Sequence, residues 1–323
     1  MAKFKYTRRN LLRLLRVITV VATMLPASLY AVTFTDDESR EVSFDKPFTR
    51  IISLYPAHTE NLASMGCESE LIGIGDSDSY PETIAGKARF SYRDGTEKFL
   101  AARPDLILIR PMISRSQPEL IDRLRAMGIA IVSLQPTDID QMFSYWSKLG
   151  QLCGKTDQAG RMEQEFSATL AELRGNIPTD PALRPQVYFE SIHSKMKTFD
   201  PAAISMFALA AGGGRNVATD ASGRNDSNIA PYGKERILAR AEAIDIFLSQ
   251  VGRMNRVTTD DIYQEPGFQL IKAVRTKSVY LVEEELVSRP TMRLLAGIRK
   301  IQSLLYPALR REQQGLARHE PKP

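Results

Sequence analysis

From residue 51 onward, short uninterrupted apolar runs alternate with stretches in which apolar residues recur every three or four positions. Residues 51–54, 71–74, 106–109 and 130–134 are continuous apolar runs bounded by Gly, Pro, Asp and Ser, the pattern of strands buried on both faces. Residues 59–65, 117–127 and 139–152 carry helical spacing between or after them. Strands alternating with helices predict parallel βαβ units and hence a first α/β lobe. Thr156-Asp157 can then cap a helix running to about Leu173, before Gly175 and Pro178 stop it. Ala159, Met162, Phe166, Leu170 and Leu173 form a single apolar stripe on this polar rod. Such a helix either packs on one lobe or joins two lobes as a rigid connector. Beyond it the alternation resumes, with strands expected at 187–189, 244–248 and 279–282 and helices at 204–211, 268–274 and 292–305. The expected organisation is a lobe over 45–153, a connector over 156–175, a second α/β lobe over 183–307 and a polar, fraying tail over 310–323.

Residues 1–31 stand outside this rhythm. Lys3, Lys5, Arg8, Arg9, Arg13 and Arg16 precede an uncharged stretch from Val17 to Leu25, and Ala31 offers a small residue for cleavage, which together predict an export signal. The apolar stretch is shorter than the ~20 residues a membrane span takes. Thr7-Arg-Arg-Asn-Leu-Leu-Arg13 looks like a twin-arginine signal, although paired arginines also occur in ordinary signal heads. Removing six positive charges takes the formal net charge from +5 to −1, so the basic character belongs to the leader and a nucleic-acid role loses its support. The expected product is a soluble monomer in the periplasm, where Cys67 and Cys153 are either disulfide-bonded or two buried thiols.

The first strand runs straight into a helix through Arg50-Ile-Ile-Ser-Leu-Tyr-Pro-Ala-His-Thr-Glu60. Further along stand Ala101-Ala-Arg-Pro-Asp-Leu-Ile-Leu-Ile109, Ala210-Ala-Gly-Gly-Gly-Arg-Asn-Val217 and a late helix–strand stretch ending in Leu286-Val-Ser-Arg-Pro290. In this order the segments resemble the periplasmic binding proteins of ABC importers for ferric siderophores, haem and cobalamin, over roughly residues 45–307. The resemblance implies two Rossmann-like α/β lobes joined by one long helix, the class III arrangement. It also implies a ligand held between the lobes with little domain closure, no catalysis, and delivery to an inner-membrane permease dimer with its ATPase. No resident cofactor is expected; the ligand is an iron(III) chelate, haem or corrinoid.

Strand ends in such lobes face the cleft. On that ground Tyr55, His58, Tyr92, Arg93, Arg110 and Met112 are ligand candidates on the first lobe, and His193, Lys195, Lys197, Tyr232, Arg253, Arg289 and Arg293 on the second. Arginine forks suit anionic oxygens, with Arg253, Arg289 and Arg93 as the first choices, while the tyrosines offer flat faces. His58 and His193 sit on opposite lobes and are expected to reach iron directly if both face the cleft; a lone histidine is otherwise a hydrogen-bonded structural residue. An anionic iron chelate is favoured over a corrinoid because 190–197 is basic. By the resemblance, Glu97 and Glu235 dock the two permease subunits; read locally, each is an acid in a first helical turn. Neither Gly-x-Gly-x-x-Gly after a strand nor Gly-x-Ser-x-Gly occurs, and a hydrolytic site of two histidines with Asp78 or Glu60 requires groups on opposite lobes. A chelate-sensing domain is the third class.

Overall fold

The structure is a computed structural model, which describes residues 31–223 and 227–307. The export signal, apart from its last residue Ala31, and the tail over 310–323 lie outside the described residues. The chain opens with an antiparallel hairpin, β1 (Val32–Thr35) and β2 (Glu41–Phe44). Its turn is held by Asp36, a buried residue whose Oδ1 accepts from Glu38 N and Arg40 N at 2.9 Å and whose Oδ2 accepts from Ser133 N at 3.2 Å. The hairpin precedes the boundary expected at 45 and is bonded to the first lobe through Ser133. The alternation Val32, Phe34, Val42, Phe44 was there to be read, but two four-residue strands give a weak signal.

The first lobe continues through β3 (Ile51–Ser53), α1 (Pro56–Ser64), β4 (Leu71–Gly75), β5 (Ala88–Phe90), α2 (Thr96–Ala102), β6 (Leu106–Ile109), α3 (Pro111–Ser116), α4 (Pro118–Ala126), β7 (Ala130–Ser133) and α5 (Ile139–Leu152). Its five strands are all parallel in the order β5-β4-β3-β6-β7, so their carboxyl ends share one edge. Proline at the first position of α1, α3 and α4 presets the helical φ where no N–H is needed. Cys67 and Cys153, both buried, are disulfide-bonded and tie the start of β4 to the end of α5.

The connector is α6 (Thr156–Gly175), whose five stripe residues are all buried. Phe166 meets Trp146 and Phe143 of α5 edge-on at 5.6 and 5.8 Å, and the Leu173 carbonyl at its far end accepts from Gln302 Nε2 at 2.8 Å. The helix thus packs on both lobes. Its N-cap is Lys155, with no side-chain cap, instead of the expected Thr-Asp cap.

The second lobe comprises β8 (Gln186–Ile192), β9 (Lys197–Phe199), α7 (Ile204–Ala211), β10 (Arg215–Asn216), β11 (Ile229–Pro231), α8 (Lys234–Leu238), β12 (Ile246–Val251), α9 (Thr259–Gln264), α10 (Lys272–Arg275), β13 (Val279–Glu283), α11 (Glu284–Val287) and α12 (Leu294–Leu305). β8, β12 and β13 are parallel, with β10 beside the start of β8, while β9 runs antiparallel between β8 and β11. The helix expected over 268–274 is instead a 3-10 turn at Phe268–Leu270 followed by α10. One buried apolar cluster reaches from Val42 through Trp146 and Phe166 to Leu305, so connector and both lobes share a core.

Candidate inter-lobe cleft

The segment after β13 meets the first lobe at Glu60 and Asn61, which follow β3, and at Tyr80, which follows β4, the side of an open α/β sheet on which ligands bind. At the end of β3, Tyr55 caps α1 and is half-buried, with the Arg110 guanidinium 5.0 Å from its ring centroid. Burial raises the Tyr55 pKa, against the pull of Arg110 and, from the other lobe, Arg289. Beyond β5, the exposed Arg93 lies 5.4 Å from the ring of half-buried Tyr92. Beyond β4, Tyr80 is 43 % exposed and carries Arg293 of the second lobe over its ring at 4.3 Å. Each of three first-lobe tyrosines is therefore paired with a guanidinium.

Polar contacts cross the seam between the lobes. The turn between α11 and α12 enters the first lobe, where the Pro290 carbonyl accepts from Asn61 Nδ2 at 2.9 Å and Trp146 Nε1 at 3.0 Å. Arg289 Nη1 donates to Glu60 Oε1 at 2.6 Å, and Arg293 stands 3.5 Å from the same oxygen and 2.9 Å from Glu285. Glu60 is nearly fully buried; burial raises its pKa and Arg289 opposes that. Arg289, expected as a free anion clamp, is thus neutralised inside the seam.

His58 is a clear correction. Its side chain is fully buried: Nε2 lies 3.0 Å from the Ile109 carbonyl and must donate, so Nδ1 accepts from Tyr145 O–H at 2.7 Å. Tyr145 O is 3.3 Å from the same Asn61 Nδ2 that bonds Pro290. Burial pushes the imidazole pKa down to about 4. A neutral ring with both nitrogens spoken for holds the fold and offers nothing to a metal in the cleft. It turned inward because α1 is buried almost all round, from Ala57 to Leu62.

On the second lobe, His193 follows β8 with Nδ1 against Glu190 at 3.0 Å, while Nε2 lies 3.7 Å from Glu265. The two histidines do not converge on one point, and among the described residues no group of three or more His, Cys, Asp or Glu is arranged to hold a metal ion. Tyr232 also leaves the set: it is buried, bonds Asp220 at 3.0 Å, and lies under Arg236 at 4.2 Å. Burial and Asp220 push its pKa up to about 12. Lys197 lies on β9 opposite Pro231, half-buried, and Lys195 and Arg253 are exposed, with no ion pair for any of the three among the described residues. Met112 is half-buried at the start of α3. Glu97 and Glu235 are exposed in the first turns of α2 and α8, each two residues after a glycine N-cap.

Sequence reasoning missed Tyr80 and Glu285 as cleft groups and named Glu60 only as a member of a hydrolytic site. Tyr80 was legible as a loop residue just beyond a strand, whereas Glu60 acquires its meaning only from the other lobe. Two concave pockets, of about 270 and 550 Å³, lie beside the β2–α6 contact and the far end of α6, away from the strand ends. The cleft is identified by topology and chemistry, not by an enclosed volume.

The sequence profile described as Periplasmic binding protein matches residues 51–286. An ABC transporter substrate-binding lipoprotein of Bacillus subtilis, itself uncharacterized, is 21 % identical over 291 residues, covering 86 % of this chain and 87 % of its own. A vitamin B12-binding protein of Yersinia pestis is 33 % identical over 127 residues, 39 % of this chain and 45 % of its own. Among solved structures, a periplasmic solute-binding protein of Staphylococcus epidermidis, described as possibly iron-binding, superposes with a TM-score of 0.70 at 26 % identity, over 81 % of this chain and all of that one. The periplasmic haem-binding protein of Vibrio cholerae has the same fold, with a TM-score of 0.68 at 16 % identity, over 80 % of this chain and 99 % of that one. Among the described residues no helix is long and apolar enough to cross a membrane. The two α/β lobes, the single connecting helix and the profile match together show that this chain belongs to the periplasmic binding protein family, and so is a substrate-binding component of an ABC transporter and not an enzyme.

Proposed function

We propose that the protein captures an iron chelate with an anionic periphery, a siderophore complex or haem, between its lobes and hands it to an inner-membrane permease. The observation that carries this is the set of three tyrosine–arginine pairs, Tyr55 with Arg110, Tyr92 with Arg93 and Tyr80 with Arg293. A flat ring beside a guanidinium favours a conjugated ligand edged with negative oxygens. Arg93 and Arg253, exposed on opposite lobes and in no ion pair among the described residues, can meet such oxygens. A corrinoid is the second reading. It is supported by the Glu60–Arg289 pair, which removes one positive charge from the cleft, and by relatives named for vitamin B12 or cobalamin.

Equilibrium titration of the purified protein with haemin, a ferric tricatecholate and cyanocobalamin separates the readings. Arg93→Ala and Arg253→Ala are expected to weaken an anionic iron chelate by about 10- to 100-fold each, the scale of a charged hydrogen bond, and to leave cyanocobalamin unchanged. Tight cyanocobalamin binding with no affinity for either iron complex would replace the first reading by the second. Delivery is assigned to Glu97 and Glu235, one exposed carboxylate per lobe. Reversing both to Lys is expected to abolish uptake of labelled chelate by cells while the purified variant keeps its affinity, because like charges at an interface cost several kcal/mol. Normal uptake would return both acids to a local helix-start role.

A further inference from the structure

His193 uses its two ring nitrogens unequally. Its backbone N–H donates to Asn255 Oδ1 at 2.9 Å, and its ring meets Phe268 edge-on at 6.1 Å. Nδ1 lies 3.0 and 3.1 Å from the two oxygens of Glu190. Glu190 is fully buried on β8, and its Oε2 also accepts from Ser249 Oγ at 2.8 Å. A carboxylate with these partners fixes Nδ1 as a donor and sets the ring's orientation, as carboxylates behind functional histidines commonly do. Nε2, by contrast, makes no hydrogen bond among the described residues. Glu265 Oε2 stands 3.7 Å away, beyond hydrogen-bond distance, and Lys234 holds the other oxygen of Glu265 in an ion pair.

The charge on the ring follows from its neighbours. The Glu190 hydrogen bond raises the imidazole pKa, burial opposes it, and the negative charges of Glu190, Glu265 and Asp261 raise it further, for a net upward shift. The charged groups facing His193 are thus Glu190 from β8, Asp261 from α9, Glu265 from the loop after α9 and, through Glu265, Lys234 from α8. Its side chain retains 12 % exposure, at the residue that follows the carboxyl end of β8.

We propose that Nε2–H of His193 is the second lobe's charged donor to an anionic oxygen of the bound chelate, with Glu190 as its positioning residue and Lys234 drawing the competing carboxylate of Glu265 aside. This rests on the anionic-chelate reading above. It replaces direct metal coordination by His193 with a hydrogen bond, and it makes capture pH-dependent: a histidine with a raised pKa is an imidazolium at low pH and loses the charge as pH rises.

The test measures affinity for haemin, a ferric tricatecholate and cyanocobalamin across pH, with proton NMR of the full-length protein following His193. Affinity for an anionic probe is expected to fall as pH rises through the His193 titration, and His193→Gln is expected to lower it about 10- to 100-fold at acidic pH and to flatten the profile. Glu190→Gln should move the His193 titration, and the binding profile with it, to lower pH, a displacement that a purely structural role would not produce. Lys234→Met should weaken binding by freeing Glu265 to close on the ring, and Glu265→Gln should not weaken it. An anionic probe that binds with a flat pH profile and equal affinity in His193→Gln overturns this proposal and leaves the anionic-chelate reading standing. Binding of cyanocobalamin alone, or of no probe, removes that reading and the proposal with it.

Discussion

Asp78 offers a quantitative check on the cleft's foundations. It lies on the loop after β4, two residues before Tyr80, and is 3 % exposed. Its Oδ2 accepts from Gly75 N at 3.2 Å and from Thr59 Oγ1, while Oδ1 is buried with no partner. Burial raises its pKa from 3.8 to about 6, against Thr59, the Gly75 N–H, Arg289 and Arg89. A carboxyl bound more tightly to its proton in the folded state stabilises the fold fully below about pH 4, and that stability is lost as pH rises through about 6. At 1.36 kcal/mol per pH unit the whole effect is roughly 3 kcal/mol, and about 2 kcal/mol of it falls between about pH 4.5 and 8. Asp78→Asn removes the titration while keeping the shape. Urea unfolding of both proteins at the two pH values should therefore show the Asn variant gaining about 2 kcal/mol on the wild type from the acidic to the alkaline condition. Comparing differences cancels whatever the amide itself does to packing. A gap between the two proteins that is the same at both pH values would refute the reasoning and show that water reaches the carboxyl.

The seam, the disulfide and the buried histidine give further expectations. Glu60→Gln leaves Arg289, whose side chain is 15 % exposed, with only the more distant Glu285 at 3.9 Å, and should lower the unfolding free energy by roughly 3 kcal/mol; denaturation indistinguishable from wild type would mark the pair as solvent-screened. Replacing Cys67 and Cys153 together with Ser opens a loop with a sequence separation of 86 and should cost about 4 to 5 kcal/mol in the chain-entropy account, whereas a melting temperature insensitive both to this change and to reductant would contradict it. His58 should remain a neutral Nε2–H tautomer from pH 5 to 8, so nitrogen-15 NMR showing it titrate near 6.5 would mean that the ring reaches solvent.

Much of the fold was legible because its signals are local. Continuous apolar runs such as 106–109 suit strands covered on both faces, and the stripe from Ala159 to Leu173 marks one buried face of one helix. Strand-end reasoning picked out Tyr55, Tyr92, Arg93, Arg110 and Arg253, which the structure leaves half-buried or exposed beyond strand ends, because the carboxyl edge of a parallel sheet is fixed once strand and helix order are known. It erred on His58, Tyr232 and Arg289, which lie in the same kind of turns but face inward. Nothing within a few residues of His58 announces Tyr145, 87 positions away, nor does anything near Arg289 announce Glu60, 229 positions away. The sequence by itself determined the two lobes, the connector and the family's turns, since each depends on periodicity and turn chemistry over at most some twenty residues. Only the tertiary structure decided which polar side chains face the ligand and which cancel one another across the seam. Whether a charge is free or neutralised depends on a partner brought near by packing, and the packing of one lobe against the other is a sum over the whole chain that no local stretch contains.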